Sequence, residues 1–216
     1  MSCKVYINLN EKELRALCTA RKNSGLKSYR ETILSACNSE IVRSLSFMIL
    51  AEKELRKISV NHHQIIRSLE QSGASFEELY SVDNSLDFVI DEVTKIGSSL
   101  HVLDAIKDSE RKELAIRMAA EEKTLLCKIK KILRFKTYRA MILTLCIFTD
   151  MQITMPDVSL EYPALKNYGL EINKAAKTLN SGNKVDDENF KQFLDEFNRL
   201  LMDIAQKLRG GKNYVA

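Results

Sequence analysis

The segment "CKIKKILRFKTYRAMILTLCIF", Cys127–Phe148, contains six basic side chains in its first thirteen residues and is almost wholly apolar after them. On a helical wheel, with about 100° between residues, the apolar side chains of 125–133 fall on one side and most cations on the other. Residues 140–148 place apolar side chains on every side, as in a helix at the centre of a core or at an interface. The segment therefore predicts an amphipathic basic helix followed by a core or interface helix.

The rest of the chain also favours helices. Gly and Pro number only 7 and 2 of 216 residues, although these residues usually mark the turns between short strands. A hydrophobic fraction of 45% is that of an ordinary globular protein. We predict an all-α fold, a multi-helix bundle of about seven or eight helices, several of them long and antiparallel. We place a single domain at 1–208, with possible halves at 1–106 and 107–208, and a flexible tail at 209–216.

Capping residues and apolar spacing place the helices of the N-terminal half. A capping signature at Asn10 predicts a helix over 10–23. The stretch 27–58 contains no Gly or Pro and predicts one long helix, with a new helix start at Asn61. Apolar residues three and four apart predict a further helix over 85–106.

In the C-terminal half, a helix start near Asp108 is followed by no helix breaker until Pro156. Because about forty residues is long for one globular helix, we expect a bend or turn between 134 and 138. Pro163 suits the first turn of the next helix, and Asp186 is a candidate N-cap for the last one. Strand alternation is found only in the opening "CKVYINL", and internal repeats at a fixed period are not evident.

The cysteines and the apolar runs indicate the compartment. The chain has five Cys, an odd number without a Cys-x-x-Cys pair, which is typical of reduced thiols inside cells. The N-terminus has no secretory apolar segment, and the longest apolar run, 140–149, is about half of what a membrane-spanning helix needs. We expect an intracellular protein, cytoplasmic or nuclear, with no signal peptide or transmembrane segment.

The sequence contains no motif for a catalytic or cofactor site. His62 and His63 are adjacent and would point in different directions on a helix, so they do not serve one metal, and His101 has no ligand-type residue at a useful spacing. Gly-rich phosphate loops, nucleophile elbows and Glu-x-x-His units do not occur either. We expect a protein that is not an enzyme and that has no metal and no cofactor.

The most basic part of the sequence is a candidate binding face. From Lys123 to Thr149 no acidic residue occurs, and aromatic side chains lie among the cations. Such mixing suits nucleic acid, an anionic membrane surface or an acidic protein helix. The candidate residues are Lys128, Lys130, Lys131, Arg134, Phe135, Lys136, Tyr138 and Arg139.

An internal use of the same charges competes with this interpretation. Residues 76–122 hold 5 basic and 12 acidic side chains, whereas both flanking parts of the chain are basic. Neighbouring bundle helices are usually antiparallel, so helix 85–106 would lie beside 123–139 and pair with its charges. We favour this internal pairing. Exposure of Phe135 and Tyr138 among the cations would instead indicate a binding face.

These features lead to three hypotheses about function. The first is a non-enzymatic helical-bundle interaction protein, a scaffold, adaptor or regulator that binds partner proteins through helix faces. The alternative is a nucleic-acid-associated protein that uses the basic segment 128–139. The third is a peripheral membrane- or cytoskeleton-binding bundle. We expect protein partners, a homo-oligomer included, ahead of nucleic acid or an anionic membrane.

Overall fold

A computed structural model describes residues 2–72, 77–100, 111–185 and 187–210 of the chain. Within these residues lie eight helices and two strands, so the fold is predominantly α-helical, as predicted. In chain order the elements are β1 (Ser2–Leu9), α1 (Glu11–Asn23), α2 (Tyr29–Cys37), α3 (Glu40–Gln71), α4 (Glu77–Leu100), β2 (Lys112–Ala119), α5 (Ala120–Ile132), α6 (Tyr138–Asp150), α7 (Tyr162–Asn180) and α8 (Asp187–Gly210).

The chain divides into two compact units, each made of segments that are distant in sequence. The first unit contains Met1–Ser46 and Gly97–Met155, and the second contains Phe47–Ile96 and Pro156–Lys212. The boundaries fall within α3 and near the end of α4. Both units therefore combine elements from the N-terminal and the C-terminal half of the chain.

The first unit is built on a two-stranded antiparallel ribbon. Strands β1 and β2 pair over their full length, from Ser2 opposite Ala119 to Leu9 opposite Lys112. Successive side chains of a strand point to opposite faces, and one face of this ribbon is apolar and buried. Its buried side chains are Val5, Ile7, Leu9, Ile116 and Met118. Helices α1, α2, α5 and α6 contact one another and the strands, so the ribbon forms one wall of a helical core.

Helix α6 supplies the centre of this unit. All its residues from 139 to 146 are buried, which confirms the core helix predicted for the apolar part of Cys127–Phe148. The turn predicted between 134 and 138 is also confirmed, because α5 and α6 are separate helices. Arg134 adopts a left-handed conformation in this turn (φ 58°), as Gly25 does between α1 and α2 (φ 66°). The two helix–turn–helix segments therefore turn in the same way.

The second unit is a bundle of four helices, α3, α4, α7 and α8. The contacts that join them include His62–Leu79 (α3 with α4), Phe47–Tyr162 (α3 with α7), Ser85–Asn198 (α4 with α8) and Tyr168–Phe197 (α7 with α8). Helices α3 and α4 are antiparallel. His62 contacts Leu79, whereas Arg56, earlier in α3, donates a hydrogen bond to Thr94, later in α4. The apolar residues predicted for the last helix are buried in this bundle, among them Phe190, Leu194, Phe197, Leu201, Ile204 and Leu208.

The single long helix predicted over 27–58 is wrong, because α2 and α3 are separated at Asn38 and Ser39. Both side chains donate to backbone carbonyl oxygens in the last turns of α2, at 3.0 and 2.7 Å. Such bonds compete with continuation of a helix, although neither residue is a strong breaker on its own. The new helix start predicted at Asn61 is also wrong, because α3 runs through this position without interruption.

The helix predicted from Asp108 onward is wrong over 112–119, which form strand β2. This segment alternates, with Ile116 and Met118 buried and Ala115 and Arg117 exposed. Its partner is β1, at the opening of the chain. Pairing with a strand so distant in sequence overrides the helical preference of "KELAIRMA". Local signals alone do not indicate this pairing.

Some predictions concern residues outside those that the structure describes. They are the helix start near Asp108, residues 101–106 of the predicted helix 85–106, the N-cap at Asp186 and the tail beyond residue 210. The described part of helix 85–106 belongs to α4. Pro163 lies in the first turn of α7, as predicted, where its missing N–H has no helical partner.

Candidate nucleic-acid interface

The eight residues predicted as a binding face do not share one surface. Those exposed to solvent are Lys128, Lys131, Arg134 and Lys136. Phe135 is only 4% exposed, and Tyr138 is half-buried with its hydroxyl 2.8 Å from Cys127 Sγ. The Lys130 ammonium lies 5.5 Å from the centre of the Tyr138 ring. The aromatic side chains among these cations thus pack within the unit, and a binding role for the exposed cations stays a prediction.

Arg139 is held inside the first unit by Glu13 of α1. Its Nε lies 3.1 Å from Glu13 Oε2 and its Nη2 donates to Oε1, and the two side chains are 8% and 10% exposed. Glu13 Oε2 also accepts the backbone N–H of Asn10 at 3.0 Å, which caps α1. Burial alone would raise the pKa of Glu13, but the bonds from Arg139 and Asn10 outweigh it and lower the pKa below 4.5. This predicted surface cation is therefore structural.

The same arrangement occurs again between Arg30 and Glu122. Arg30 Nε lies 2.9 Å from Glu122 Oε2, and Nη2 lies 2.6 Å from Oε1. Glu122 Oε2 also accepts the backbone N–H of Ala119 at 2.8 Å, which caps α5. The Arg30 guanidinium and this N–H lower the pKa of Glu122. Here the two side chains are 48% and 20% exposed, so the second pair is a solvated version of the first.

These matching contacts reveal a duplication within the chain, with an offset of 109 positions, as from Glu13 to Glu122. Without a gap, eleven residues of 3–38 are identical to their equivalents in 112–147. The identical pairs are Ile7–Ile116, Glu13–Glu122, Leu17–Leu126, Cys18–Cys127, Lys22–Lys131, Lys27–Lys136, Tyr29–Tyr138, Arg30–Arg139, Ile33–Ile142, Leu34–Leu143 and Cys37–Cys146. Among the described elements, a strand and four helices are followed by a strand and four helices. The chain therefore contains an internal repeat that was not evident from the sequence alone.

Equivalent side chains make equivalent contacts in the two repeats. Cys18 Sγ lies 2.7 Å from Tyr29 Oη, and Cys127 Sγ lies 2.8 Å from Tyr138 Oη. A basic side chain lies over each ring, at 4.8 and 5.5 Å from its centre. The bond to Cys127, together with burial, raises the pKa of Tyr138 to about 12, and Cys18 raises the pKa of Tyr29 in the same way. Each contact fastens the two helices of one repeat to each other.

The two repeats meet in the ribbon about a local two-fold axis. Tyr6 lies opposite Ala115, its own equivalent at the offset of 109. An antiparallel pair in which equivalent residues face each other is symmetric about that point. The ion pairs follow the same symmetry, because each arginine binds the glutamate of the other repeat. The first unit therefore has the arrangement of a two-fold dimer within a single chain.

The face of the ribbon opposite to the buried one is exposed along its length, and we call it the open face. Its side chains are Lys4, Tyr6, Asn8, Glu113, Ala115 and Arg117. Across the strands, Lys4 lies opposite Arg117, and Asn8 lies opposite Glu113. Within the part of the chain that the structure describes, none of these side chains has a hydrogen bond or an ion pair. Their donors and acceptors are thus available to a ligand.

None of these six residues is among the eight predicted from the sequence. Two signals point to them when they are combined. Apolar residues alternate at Val5, Ile7 and Leu9, and again at Ile116 and Met118. The offset of 109 superimposes these two segments and the helix caps that follow them. A strand in one repeat therefore indicates a strand in the other.

The chain matches no protein-family model, no curated protein and no solved structure. Across the described residues, no group of three or more His, Cys, Asp and Glu side chains is arranged to hold a metal ion. Within the same residues, no single helix has both the length and the apolar character to cross a membrane. The consecutive helices α2 and α3 pass that test only when taken together, with a bend of 43° between them.

Proposed function

We propose that the chain binds duplex DNA by inserting the ribbon into the major groove, with the open face towards the bases. The observation that carries this proposal is the open face itself, a row of exposed side chains backed by a buried apolar face. The major groove is about 12 Å wide and admits a two-stranded ribbon. Paired strands lie about 4.8 Å apart, so the ribbon with its side chains fits that width.

The open face carries side chains that suit the edges of bases. Lysine and arginine donate to guanine O6 and N7, asparagine forms a bidentate pair with adenine, and glutamate accepts from cytosine N4. Lys4, Arg117, Asn8 and Glu113 provide all four kinds. A ribbon with a purely structural role would gain nothing from Lys4 opposite Arg117, because like charges across a strand pair are destabilising. A ligand rich in acceptors relieves that repulsion.

The contacts behind the ribbon support the same role. Glu13 and Glu122 each cap the helix that follows a strand, and each also binds an arginine of the other repeat. The strand ends are thereby fixed to the helical core. A recognition element works best when it is held on a rigid base, because less conformational freedom is then lost on binding.

This proposal keeps the nucleic-acid alternative reached from the sequence and moves the base-reading element from 128–139 to the ribbon. The exposed cations of α5, such as Lys128 and Lys131, remain candidates for contacts with phosphates, which position a protein without reading sequence. The hypotheses of a protein-interaction scaffold and of a membrane- or cytoskeleton-binding bundle stay predictions. No contact among the described residues favours either of them over DNA.

Binding of the full chain to a fluorescent DNA duplex tests the proposal. We expect measurable affinity at about 50 mM salt and a steep loss towards about 200 mM, because bound cations release counterions from the phosphates. The variant Lys4→Ala/Arg117→Ala should weaken binding about 10-fold or more. The variant Lys128→Ala/Lys131→Ala removes the same charge from α5 and serves as the matched control, with a smaller expected loss.

Duplex RNA should compete poorly, because side chains cannot reach into the deep and narrow major groove of an A-form helix. Absence of duplex DNA binding at about 50 mM salt would overturn the proposal. A loss of binding in Lys128→Ala/Lys131→Ala, with none in Lys4→Ala/Arg117→Ala, would return the site to the predicted basic segment.

A further inference from the structure

Resting on the proposed insertion of the ribbon into duplex DNA, we infer that the chain reads a non-palindromic site. One half of the site carries guanines beneath Lys4 and Arg117, and the other carries adenine or cytosine beneath Asn8 and Glu113. Two identical strands related by a two-fold axis would select an inverted repeat, because the symmetry of a DNA site mirrors that of the protein. Here the scaffold is two-fold and the side chains that face the DNA are not.

The two faces of the ribbon differ in how far the repeats have diverged. On the buried face, Ile7 is equivalent to Ile116, and Leu9 is equivalent to Met118. On the open face, every equivalent pair differs in chemistry; the pairs are Lys4–Glu113, Tyr6–Ala115 and Asn8–Arg117. The side chains of the buried face are therefore still similar about the two-fold axis, whereas those of the open face are not.

The register places the difference at the two ends of the ribbon. Lys4 and Arg117 lie opposite each other, so one end holds two cations with Cβ atoms about 5 Å apart. Guanine offers two acceptors, O6 and N7, on its major-groove edge, and no other base does so. At the other end Asn8 lies opposite Glu113. A carboxylate only accepts hydrogen bonds, so this end suits the amino groups of cytosine and adenine.

The length of the open face sets the size of the site. A strand rises about 3.4 Å per residue, so Lys4 and Asn8 are separated by about 14 Å. That distance matches about four base pairs at about 3.4 Å each. Tyr6 and Ala115 lie between the two ends, at the local axis. We expect a core site of about four to six base pairs whose two halves are not interchangeable.

Selection of duplexes by the full chain from a random library reads the site directly. For the wild type we expect a consensus that is not an inverted repeat and in which the ribbon contacts guanine in one half only, the guanines of the other half being those paired with the contacted cytosines. Replacement of single guanines in that consensus by 7-deazaguanine removes the N7 acceptor. This should weaken binding about 10-fold in the guanine half, with little effect in the other half.

Two variants convert the asymmetric ribbon into symmetric ones. Asn8→Arg/Glu113→Lys gives both ends the lysine–arginine pair and should select an inverted repeat of the guanine half. Lys4→Glu/Arg117→Asn gives both ends the asparagine–glutamate pair and should lose the preference for guanine. All four positions are exposed, so neither variant alters the buried core.

The outcomes separate this inference from the proposed function. A palindromic consensus for the wild type, or equal 7-deazaguanine effects in both halves, would overturn the asymmetric reading while leaving duplex binding intact. A consensus that neither variant changes would overturn the assignment of these four side chains. If no duplex sequence is enriched but duplex DNA is still bound, base reading fails and phosphate contact alone remains. If no duplex is bound at all, the proposed function fails with it.

Discussion

At the scale of single residues, the first unit makes one contact twice in two environments. Arg139 with Glu13 and Arg30 with Glu122 are equivalent pairs with the same bidentate geometry. The first pair is about 10% exposed, whereas Arg30 is half-exposed. On a helical wheel Arg139 resembles any other surface cation. Its partner Glu13 is 126 positions away, so the local sequence does not indicate the pair. Burial of this pair therefore could not be predicted from the local sequence.

The equivalent arginines should differ in what they contribute to stability. We expect Arg139→Ala to lower the free energy of unfolding by about 3 kcal/mol, because it leaves the buried Glu13 carboxylate without its partner. Arg30→Ala is the matched control and should change it much less, because water solvates Glu122 in its place. Urea unfolding measures both variants. Equal losses would mean that the two pairs are not in different environments.

His62 should give the second unit a dependence on pH. It is fully buried, with Nε2 2.8 Å from the Leu79 carbonyl oxygen. Burial lowers its pKa below 6.5, although Leu79 and Asp83 favour the charged form. The unfolded chain therefore binds the proton more readily than the folded chain does. Neutral His62 makes its full contribution to stability above about pH 6.5, and this contribution is lost as the pH falls towards the pKa of His62 in the folded chain.

Thermal unfolding at a series of pH values between about 7.5 and 5 checks this prediction. We expect Tm to fall with pH in the wild type and to fall less in His62→Gln. Gln64→Ala, at an exposed position of the same helix without a titratable group, is the control and should retain the wild-type slope. A slope that is unchanged in His62→Gln would contradict the assignment.

At the scale of elements, local signals were sufficient for most helices and insufficient for β2. The capping bonds predicted between Asn10 and Glu13 are present in both directions, and the apolar spacing of the last helix matches its buried face. The segment "KELAIRMA" is different, since its residues fit a helix as well as a strand. Only its pairing with β1 makes it a strand. The open face was not predicted because β1 and β2 form it together, and β2 was predicted to be helical.

The turn between α1 and α2 should depend on the backbone freedom of Gly25. Its φ of +66° lies in the left-handed region, and a Cβ added there would meet no atom within 4 Å. We therefore expect Gly25→Ala to cost about 1 kcal/mol, through backbone strain alone. Gly97→Ala in α4 is the control, because it also meets no atom within 4 Å and should stabilise the helix by up to about 1 kcal/mol. Chemical unfolding distinguishes the two, and a neutral Gly25→Ala would contradict the argument.

At the scale of the whole molecule, the chain is a pair of repeats whose elements are distributed over two units. The first unit contains β1, α1 and α2 with their equivalents β2, α5 and α6. The second contains most of α3 and α4 with their equivalents α7 and α8. The offset was present in the sequence, but its identities are scattered over 3–38, singly or as adjacent pairs. Their shared role becomes evident only when Arg30 and Arg139 are seen to bind the opposite repeat.

The two repeats should therefore stay together when the chain is cut between them. We expect a protease site inserted at about residue 105 to yield, after cleavage, two fragments that co-elute in gel filtration at the position of the intact chain. The reason is that the core of each unit combines both repeats, so separation would expose apolar surface in both. Fragments that elute separately, each folded, would show that a repeat is an independent domain.

Photo-crosslinking identifies the surface that touches DNA, which we propose to be the ribbon. A duplex substituted with 5-bromodeoxyuridine would be irradiated in complex with the full chain, and the crosslinked residues would be mapped by mass spectrometry. We expect crosslinks within 2–9 and 112–119, above all at Tyr6, whose 54% exposed side chain lies at the centre of the open face. Crosslinks confined to α5 or to the second unit, with none in the ribbon, would show that DNA binds to another surface.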